Sequence, residues 1–394
     1  MLSSKYYIKK RIENLCRQMQ EQRIETVIIA KPQNIMYFSN FNPVLNSHPA
    51  YVLVKANGDS CLLVHSLRLN HAQEEACLDN IQSYGKWGRT IPVAMEPIEA
   101  ITRILGTVSG EIGLEADFVN VAVYKAVEDY LHPKSIVSVS NLINNMKLVK
   151  DESEIAAIRK ASVLVDEGLT IAIECLRNGY SEAQASTEGQ YAMRKMWQKK
   201  YPDSEVCGYG TSEGGVVDSL NIWCLSNGRI AYGCDCPRAY YPQDGDLTLP
   251  IAWAKVDGYH GELERTILVG DVTGIRARAY AAMLEAREAV FTVLRPEVQL
   301  RELYEAATKV YVEHGFGDIL PGRVGHGIGC SAHEFPSITG DNTMLLKSGM
   351  VISVEPGIMD ITWGGVRHSD TVLITSQGYE VLTTYHHGRL EIKK

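Results

Sequence analysis

The most constraining feature of this sequence is a change of pattern near residues 141–150. Upstream of it, short β-rich runs such as Tyr51–Lys55 alternate with amphipathic helical patterns such as Lys10–Gln22. Downstream comes a much longer amphipathic helical pattern with acidic residues in its first turn. The two patterns predict a smaller α/β domain over residues 1–145 and a larger domain over residues 146–394.

Within the larger domain, two helical patterns precede a glycine-rich, β-like stretch, and the same order then returns. The second pair of helical patterns covers Ile275–Leu294 and Arg301–His314, and glycine-punctuated strands follow from Pro321 to Leu382. The order helix, helix, strands therefore occurs twice. This order predicts a duplicated structural unit.

Composition indicates a cytoplasmic protein that acts on a small molecule or a peptide. No apolar run approaches the roughly 20 residues of a membrane-spanning helix, and the amino terminus lacks the apolar region of a signal peptide. The nine cysteines have no disulfide framework or zinc-binding spacing, which predicts reduced thiols. A net charge of -8 without a basic block argues against nucleic acid as a partner.

Four motifs in the larger domain carry a resemblance to a known family. They are GYHGELERT (Gly258–Thr266), GHGIGCSAHEFP (Gly325–Pro336), SGMVISVEPGI (Ser348–Ile358) and GGVRHSDTVLIT (Gly364–Thr375). Together with the order of helices and strands, they resemble the methionine aminopeptidase, prolidase and creatinase family, which includes aminopeptidase P. The resemblance implies an α+β fold, with a pita-bread catalytic domain preceded by the family's smaller N-terminal domain.

The resemblance also identifies the positions at which metal-dependent members hold two divalent ions. Those members use two aspartates, one histidine and two glutamates. In this chain Ile251 stands at the first aspartate, Glu262 at the second and Ser369 at the last glutamate, whereas His326 and Glu355 are retained. The resemblance therefore implies that no bridged pair of ions binds, and we expect no metal and no other cofactor. A single ion held by the remaining three possible ligands is the alternative.

The glutamates of this region resemble those of creatinase, the metal-free hydrolase of the family. Creatinase carries ALERT where the metalloenzymes carry DxTRT, and this chain carries Glu264 in the corresponding string. The resemblance matches Glu264 and Glu355 to the pair that grips the guanidinium of creatine. Neighbouring carboxylates repel each other unless a cation lies between them, so we expect Glu262 and Glu264 to bind a cationic substrate. The alternative is that Glu264 only pairs with Arg265 or Arg367.

The expected catalytic set contains an unusual cysteine. Where creatinase has its catalytic histidine, this chain has Cys234, or Asp235 if the loop is shifted by one residue. A thiolate can serve as nucleophile or base, and a buried, inert cysteine is the alternative. His333 matches the family's second active-site histidine. With His326 and Glu355, these residues form the predicted catalytic group.

Three further residues are predicted to contact the substrate. Arg367 and His368 belong to the string RHSD, which ectoine hydrolase-like members also carry, and the resemblance is therefore nearest to the creatinase and ectoine hydrolase-like branch. A surface ion pair between Arg367 and Asp370 is the alternative. His48 lies in the loop by which creatinase-like C2 homodimers reach the partner's active site, and the alternative is that it is solvated, as exposed loop histidines more often are.

These observations lead to one predicted function and two alternatives. The prediction is a metal-independent hydrolase of a C–N bond in a small cationic guanidino or amidine compound, working as a cytoplasmic homodimer without nucleic-acid or membrane partners. One alternative is a lyase or another small-molecule enzyme on the same fold. The other is a catalytically inactive binding protein, as in the family's histone-chaperone relatives.

Overall fold

The chain divides into two compact units. The structure, a computed structural model, describes residues 4–211, 219–233 and 235–393. The smaller unit comprises Met1–Lys147 and Cys207–Asp218, and the larger unit comprises Leu148–Val206 and Ser219–Lys394. Each unit thus consists of two segments of the chain, so a single boundary in the sequence does not separate the two units.

The smaller unit is built on one mixed sheet. Its helices are Ser4–Gln22 (α1), Pro32–Ser39 (α2), Leu69–Glu75 (α3), Pro97–Leu105 (α4), Val121–Leu131 (α5) and Ser140–Met146 (α6). Its strands are Ile24–Ile29 (β1), Tyr51–Lys55 (β2), Ser60–His65 (β3), Ile81–Tyr84 (β4), Glu111–Leu114 (β5) and Ser135–Ser138 (β6). The order across the sheet is β4-β3-β2-β1-β5-β6, with β2 antiparallel to both neighbours. The central strands β1 and β2 are mostly apolar and are buried on both faces, as is typical of strands at the centre of a covered sheet.

The larger unit repeats the order helix, helix, strands. Its helices are Glu152–Arg177 (α7), Glu182–Lys200 (α8), Gly274–Val293 (α9) and Leu300–Glu313 (α10). Its strands are Leu220–Ser226 (β7), Asp246–Val256 (β8), Tyr259–Arg265 (β9), Ile267–Val269 (β10), Gly325–Gly327 (β11), Glu334–Ser337 (β12), Val351–Val354 (β13), Gly357–Asp360 (β14), Gly364–Thr375 (β15), Gly378–Val381 (β16) and Glu391–Ile392 (β17). The main path of the sheet is β12-β11-β13-β15-β9-β8-β10-β17. This architecture confirms the predicted α+β class and the duplicated unit.

Helix α7 lies directly on strand β9, beside one of the motifs. A capping box begins the helix: the Asp151 side chain accepts hydrogen bonds from the backbone of Glu154, and the Glu154 side chain accepts one from the Asp151 backbone N–H. Gly261 of β9 permits the close approach, since an added Cβ would lie 2.9 Å from the backbone nitrogen of Ser162. None of the helices in the described residues is long and apolar enough to cross a membrane.

A buried ion-pair network ties helix α9 to the sheet. Asp370 accepts hydrogen bonds from Arg265 Nη2 at 2.6 Å and from Arg287 Nη2 at 2.8 Å, and it is almost fully buried. Burial raises the pKa of the Asp370 carboxyl, but the two guanidinium groups outweigh this effect and hold the pKa below its ordinary value. The carboxylate therefore stays ionised in the core.

The D370N substitution should strongly destabilise this unit. It leaves two buried guanidinium groups without their counter-charge, so we expect the free energy of unfolding to fall by about 3–5 kcal/mol in urea titrations. The control is E380Q, which breaks the exposed pair of Glu380 with Arg159 and should cost at most about 1 kcal/mol. Equal losses in the two variants would contradict the prediction.

Candidate active site

Strand register brings three predicted positions into one row. Glu264 of β9 lies opposite Ile251 of β8 on one side and opposite Ser369 of β15 on the other. Successive side chains of a strand alternate between faces, so Glu262 and Arg367 lie on the same face as this row. Positions that are distant in sequence therefore meet on one face of the sheet.

His326 joins this face from strand β11. Its side chain is fully buried, and Nε2 lies 3.7 Å from Glu262 Oε2 and 3.5 Å from Glu355 Oε1. Nδ1 hydrogen-bonds to the Gly327 carbonyl oxygen, which can only accept, so the proton is on Nδ1. Nε2 has no hydrogen-bond partner among the described residues. A buried nitrogen that faces two carboxylate oxygens without a hydrogen bond calls for positive charge at this point, supplied by a proton on Nε2 or by a bound cation.

Glu262 is held rigidly by neighbouring donors. Its Oε1 accepts hydrogen bonds from Ser353 Oγ at 2.9 Å and from Ser369 Oγ at 2.5 Å, and its Oε2 accepts one from Trp253 Nε1 at 3.0 Å. Burial raises the pKa of the Glu262 carboxyl, but His326 and the hydrogen bond from Ser369 help to lower it below its ordinary value. Ser369, which stands at a ligand position of the metal-dependent members, thus orients the neighbouring carboxylate instead.

Glu264 is paired with Arg367. The guanidinium donates Nη2–H to Glu264 Oε1 at 2.7 Å and Nε–H to Oε2, and Nη1 lies 4.0 Å from Glu355 Oε2. Burial raises the pKa of the Glu264 carboxyl to about 8, and Arg367 limits this rise. Burial lowers the pKa of the Arg367 guanidinium, but Glu264 and Glu355 outweigh this effect and raise it. The predicted alternative, in which Glu264 pairs with Arg367, is therefore the observed arrangement.

The residues at the ligand positions predicted from the resemblance do not fit a bridged pair of ions. Ile251 is fully buried and offers no donor atom, and the Ser369 hydroxyl is bound to Glu262. They do fit one ion, because donor atoms of Glu262, His326 and His333 lie within 4.8 Å of one another. Bonds of roughly 2.1 Å in tetrahedral geometry place ligand atoms about 3.4 Å apart. The separations of 3.5 and 3.7 Å around His326 Nε2 are close to that value.

His333 lies at the exposed edge of the cluster. The centroid of its ring is 4.4 Å from that of His326. Burial lowers the pKa of His333, and the nearby His326 adds to this shift. Its imidazole is therefore largely neutral at pH 7 and can accept a proton or a hydrogen bond from a bound molecule.

His368 is not brought into the cluster. It follows Arg367 on β15, and the alternation of side chains turns it to the opposite face, where its ring lies 6.0 Å from that of Tyr280. It is fully buried, and Nε2 lies 3.3 Å from the Thr266 carbonyl oxygen. The structure also does not form the alternative pair of Arg367 with Asp370, because each of them binds another partner.

One predicted residue is not described by the structure, and another belongs to the smaller unit. Cys234 lies outside the residues that the structure describes, whereas the neighbouring Asp235 is bound by Arg229 and Arg238. His48 belongs to the smaller unit, where its ring centroid lies 4.4 Å from that of His65. The contact of His48 with a substrate in the partner's site stays a prediction.

The sequence reasoning missed three residues that shape the site. Ser353 and Trp253 donate to Glu262, and Arg323 Nε lies 3.3 Å from Glu355 Oε1 with its side chain 39% exposed. The period of two along a strand is a signal for Ser353, which precedes Glu355 by two positions. Arg323 is a cation three positions before the buried histidine, a signal that was available in the sequence.

Three known proteins similar to this chain, named as a dipeptidase and prolidases, align with 94–96% of it. The Xaa-Pro dipeptidase of Pyrococcus furiosus is 29% identical over 379 residues, which are 95% of this chain and 98% of that protein. The solved prolidase of the same organism aligns with a TM-score of 0.78 and 28% identity, over 94% of this chain and 99% of that one. The solved prolidase of Pyrococcus horikoshii aligns with a TM-score of 0.81 and 25% identity, over 96% and 99%.

These relatives contradict the predicted function. The prediction of a metal-independent hydrolase of guanidino or amidine compounds is wrong, because these three relatives are named as dipeptidases and prolidases. The structure supplies the physical reason. The carboxylates that were expected to grip a substrate's guanidinium, Glu264 and Glu355, already face the guanidinium of Arg367.

Two family models match the chain. The model described as metallopeptidase family M24 matches residues 156–376, more than half of the chain. The model described as the creatinase/prolidase N-terminal domain matches residues 11–149. The family resemblance carried by the four motifs is thereby confirmed, while the branch within the family stays a prediction. The chain therefore belongs to metallopeptidase family M24 and carries the creatinase/prolidase N-terminal domain in front of its catalytic domain.

Proposed function

We propose that this protein hydrolyses the peptide bond of short Xaa-Pro peptides at a centre that holds one divalent ion. The observation that carries the proposal is the buried Nε2 of His326, which has no partner among the described residues and points between Glu262 and Glu355. The substrate class is that of the relatives named Xaa-Pro dipeptidase and prolidase.

The ion would be held by Glu262, His326 and His333, with Glu355 beside it. When bound, such an ion polarises a carbonyl oxygen and lowers the pKa of a bound water. Carboxylate and imidazole ligands are compatible with several divalent metals, including Mn²⁺ and Zn²⁺. We therefore define the site by its donors and by the number of ions that it holds.

The protein groups around this position orient and hold the reactants. Hydrogen bonds from Ser353 and Trp253 fix the Glu262 carboxylate, so that it needs no rearrangement when a substrate arrives. His333 is the exposed member of the ligand set, so it lies at the edge of the cluster from which a substrate would reach the ion. Arg323 is partly exposed beside Glu355, and its guanidinium suits the free carboxylate of a dipeptide.

A dipeptide panel tests the proposal. Purified protein loaded with Mn²⁺ should cleave Ala-Pro and Met-Pro, and a chelator should abolish the activity. We expect kcat/KM for Ala-Pro to exceed that for Ala-Ala by at least about tenfold, since a pocket shaped for one side chain discriminates by this order. The assay follows the release of free proline and alanine. Absence of cleavage of every dipeptide by the Mn²⁺-loaded protein would refute the proposal.

A second candidate is a protein that binds short peptides without cleaving them. It is favoured by Ile251 and Ser369, which remove two of the five ligands of the metal-dependent pattern. Calorimetry distinguishes the two functions. Binding of Ala-Pro that remains intact in the presence of Mn²⁺ would support the second candidate.

A further inference from the structure

Three buried carboxylates share the centre of this site. Oxygen atoms of Glu262, Glu264 and Glu355 lie within 4.8 Å of one another, and all three residues are buried. Negative charges at this distance repel one another strongly in a medium that excludes water, and burial together with the two neighbouring glutamates raises the pKa of Glu264 to about 8. The cluster therefore requires compensating positive charge.

Part of that charge comes from the protein itself. Arg367 binds both carboxylate oxygens of Glu264, and its Nη1 lies 4.0 Å from Glu355 Oε2. Its side chain is largely buried, so solvent screens these interactions little. A bidentate pair of this kind fixes the guanidinium in position as well as in charge.

We propose that the Arg367 guanidinium occupies the position of a second cation, so that the centre combines one exchangeable divalent ion with one built-in cation. The proposal rests on the single-ion centre of the proposed function. It explains why this chain does not have all the ligands that hold two ions in the metal-dependent pattern. In addition to the ligands missing at Ile251 and Ser369, a cation that cannot dissociate already lies among the glutamates and opposes binding of a second ion.

The charges support this assignment. In the row formed by Ile251, Glu264 and Ser369, the first and last side chains are neutral. Glu264 is therefore the only carboxylate of the row, and the guanidinium of Arg367 neutralises it. The other two carboxylates, Glu262 and Glu355, flank His326 Nε2 and balance one divalent ion. The centre thus pairs Glu264 with one guanidinium of the protein and leaves Glu262 and Glu355 for one divalent ion, with Arg323 facing Glu355 from the exposed edge.

Counting bound ions in variants of Arg367 tests the inference. Equilibrium dialysis against Mn²⁺ at pH 8, followed by elemental analysis, should find one ion per chain in the natural protein. The R367M protein should bind two, because Glu264 and Glu355 then lack their cation. Mn²⁺ suits this count because it prefers carboxylate and imidazole over the thiols of the nine cysteines. R367Q, whose amide can still donate to Glu264, replaces R367M if the latter does not fold.

Two control variants distinguish the effect of losing the Arg367 charge from the effect of losing its packing. R367K retains a cation and should still bind one ion, and R323M removes a guanidinium that also faces Glu355 but lies at the exposed edge, so it should bind one ion as well. Thermal unfolding verifies that each variant is folded.

The possible results distinguish this inference from the proposed function. Two ions in the natural protein, or an unchanged count in folded R367M or R367Q, would overturn the inference. No ion in the natural protein would refute the single-ion centre, whereas a gain of one ion in R367M would still support the role of Arg367.

Discussion

The H326Q substitution is expected to abolish binding of the divalent ion and to lower kcat/KM for Ala-Pro by at least roughly 10³-fold, or about 4 kcal/mol. His326 supplies the one buried nitrogen of the cluster that points between two carboxylates without a partner of its own among the described residues. A glutamine at this position has a similar volume but is a poor ligand. Dialysis against Mn²⁺ and the release of proline measure the two effects.

The matched control for this substitution is H368Q. His368 is as fully buried as His326, and one of its ring nitrogens, Nδ1, also lacks a hydrogen-bond partner among the described residues, but it lies on the opposite face of the sheet. We expect H368Q to bind the same number of ions as the natural protein. Loss of the ion in H368Q, or its retention in H326Q, would place the ion somewhere other than this cluster.

The second large effect is expected from substitutions that restore the ligand pattern of the metal-dependent members of the family. The variant I251D/E262D/E264T/S369E restores two aspartates and the last glutamate, and it places threonine where that pattern reads DxTRT. It also releases Arg367 from Glu264. We expect two ions per chain instead of one, and cleavage of Ala-Pro that rises by at least about 10²-fold, because a second ion adds electrostatic stabilisation of the transition state.

Thermal unfolding gives this variant a readout that does not depend on activity. Without ions, its added buried acids should lower the melting temperature. Mn²⁺ at a hundredfold excess over its dissociation constant should then restore about 2.7 kcal/mol of stability for each ion bound. The control variant I251D/E262D/S369E retains the pair of Glu264 and Arg367 and should gain less. A four-residue variant that binds no more Mn²⁺ than the natural protein would contradict the prediction.

Much of the fold could be predicted from local patterns in the sequence. The helical repeat that follows Asp151 corresponds to α7, and the apolar run Tyr51–Lys55 is β2 with the same bounds. The four motifs were sufficient to identify the family, because each combines glycine positions with polar residues at fixed spacing. Such features depend on neighbours along the chain and on periodicity, both of which can be read without knowing the tertiary contacts.

The partners of the charged residues could not be predicted in the same way. The sequence offered three cations to Glu264: a substrate, Arg265 and Arg367. Only the antiparallel register of β9 and β15 decides among them, because it sends Arg265 to Asp370 on one face and Arg367 to Glu264 on the other. The same alternation removes His368 from the site, although it adjoins Arg367 in the sequence.

The sequence by itself therefore determined the family and the duplicated architecture, and it predicted the loss of two metal ligands at positions 251 and 369. The tertiary structure decided that the negative charge of Glu264 is paired with Arg367 of the same chain rather than with a cationic substrate. The physical reason is that composition and spacing specify which charges are present, whereas the energy of a buried charge depends on which opposite charge lies within a few ångströms of it.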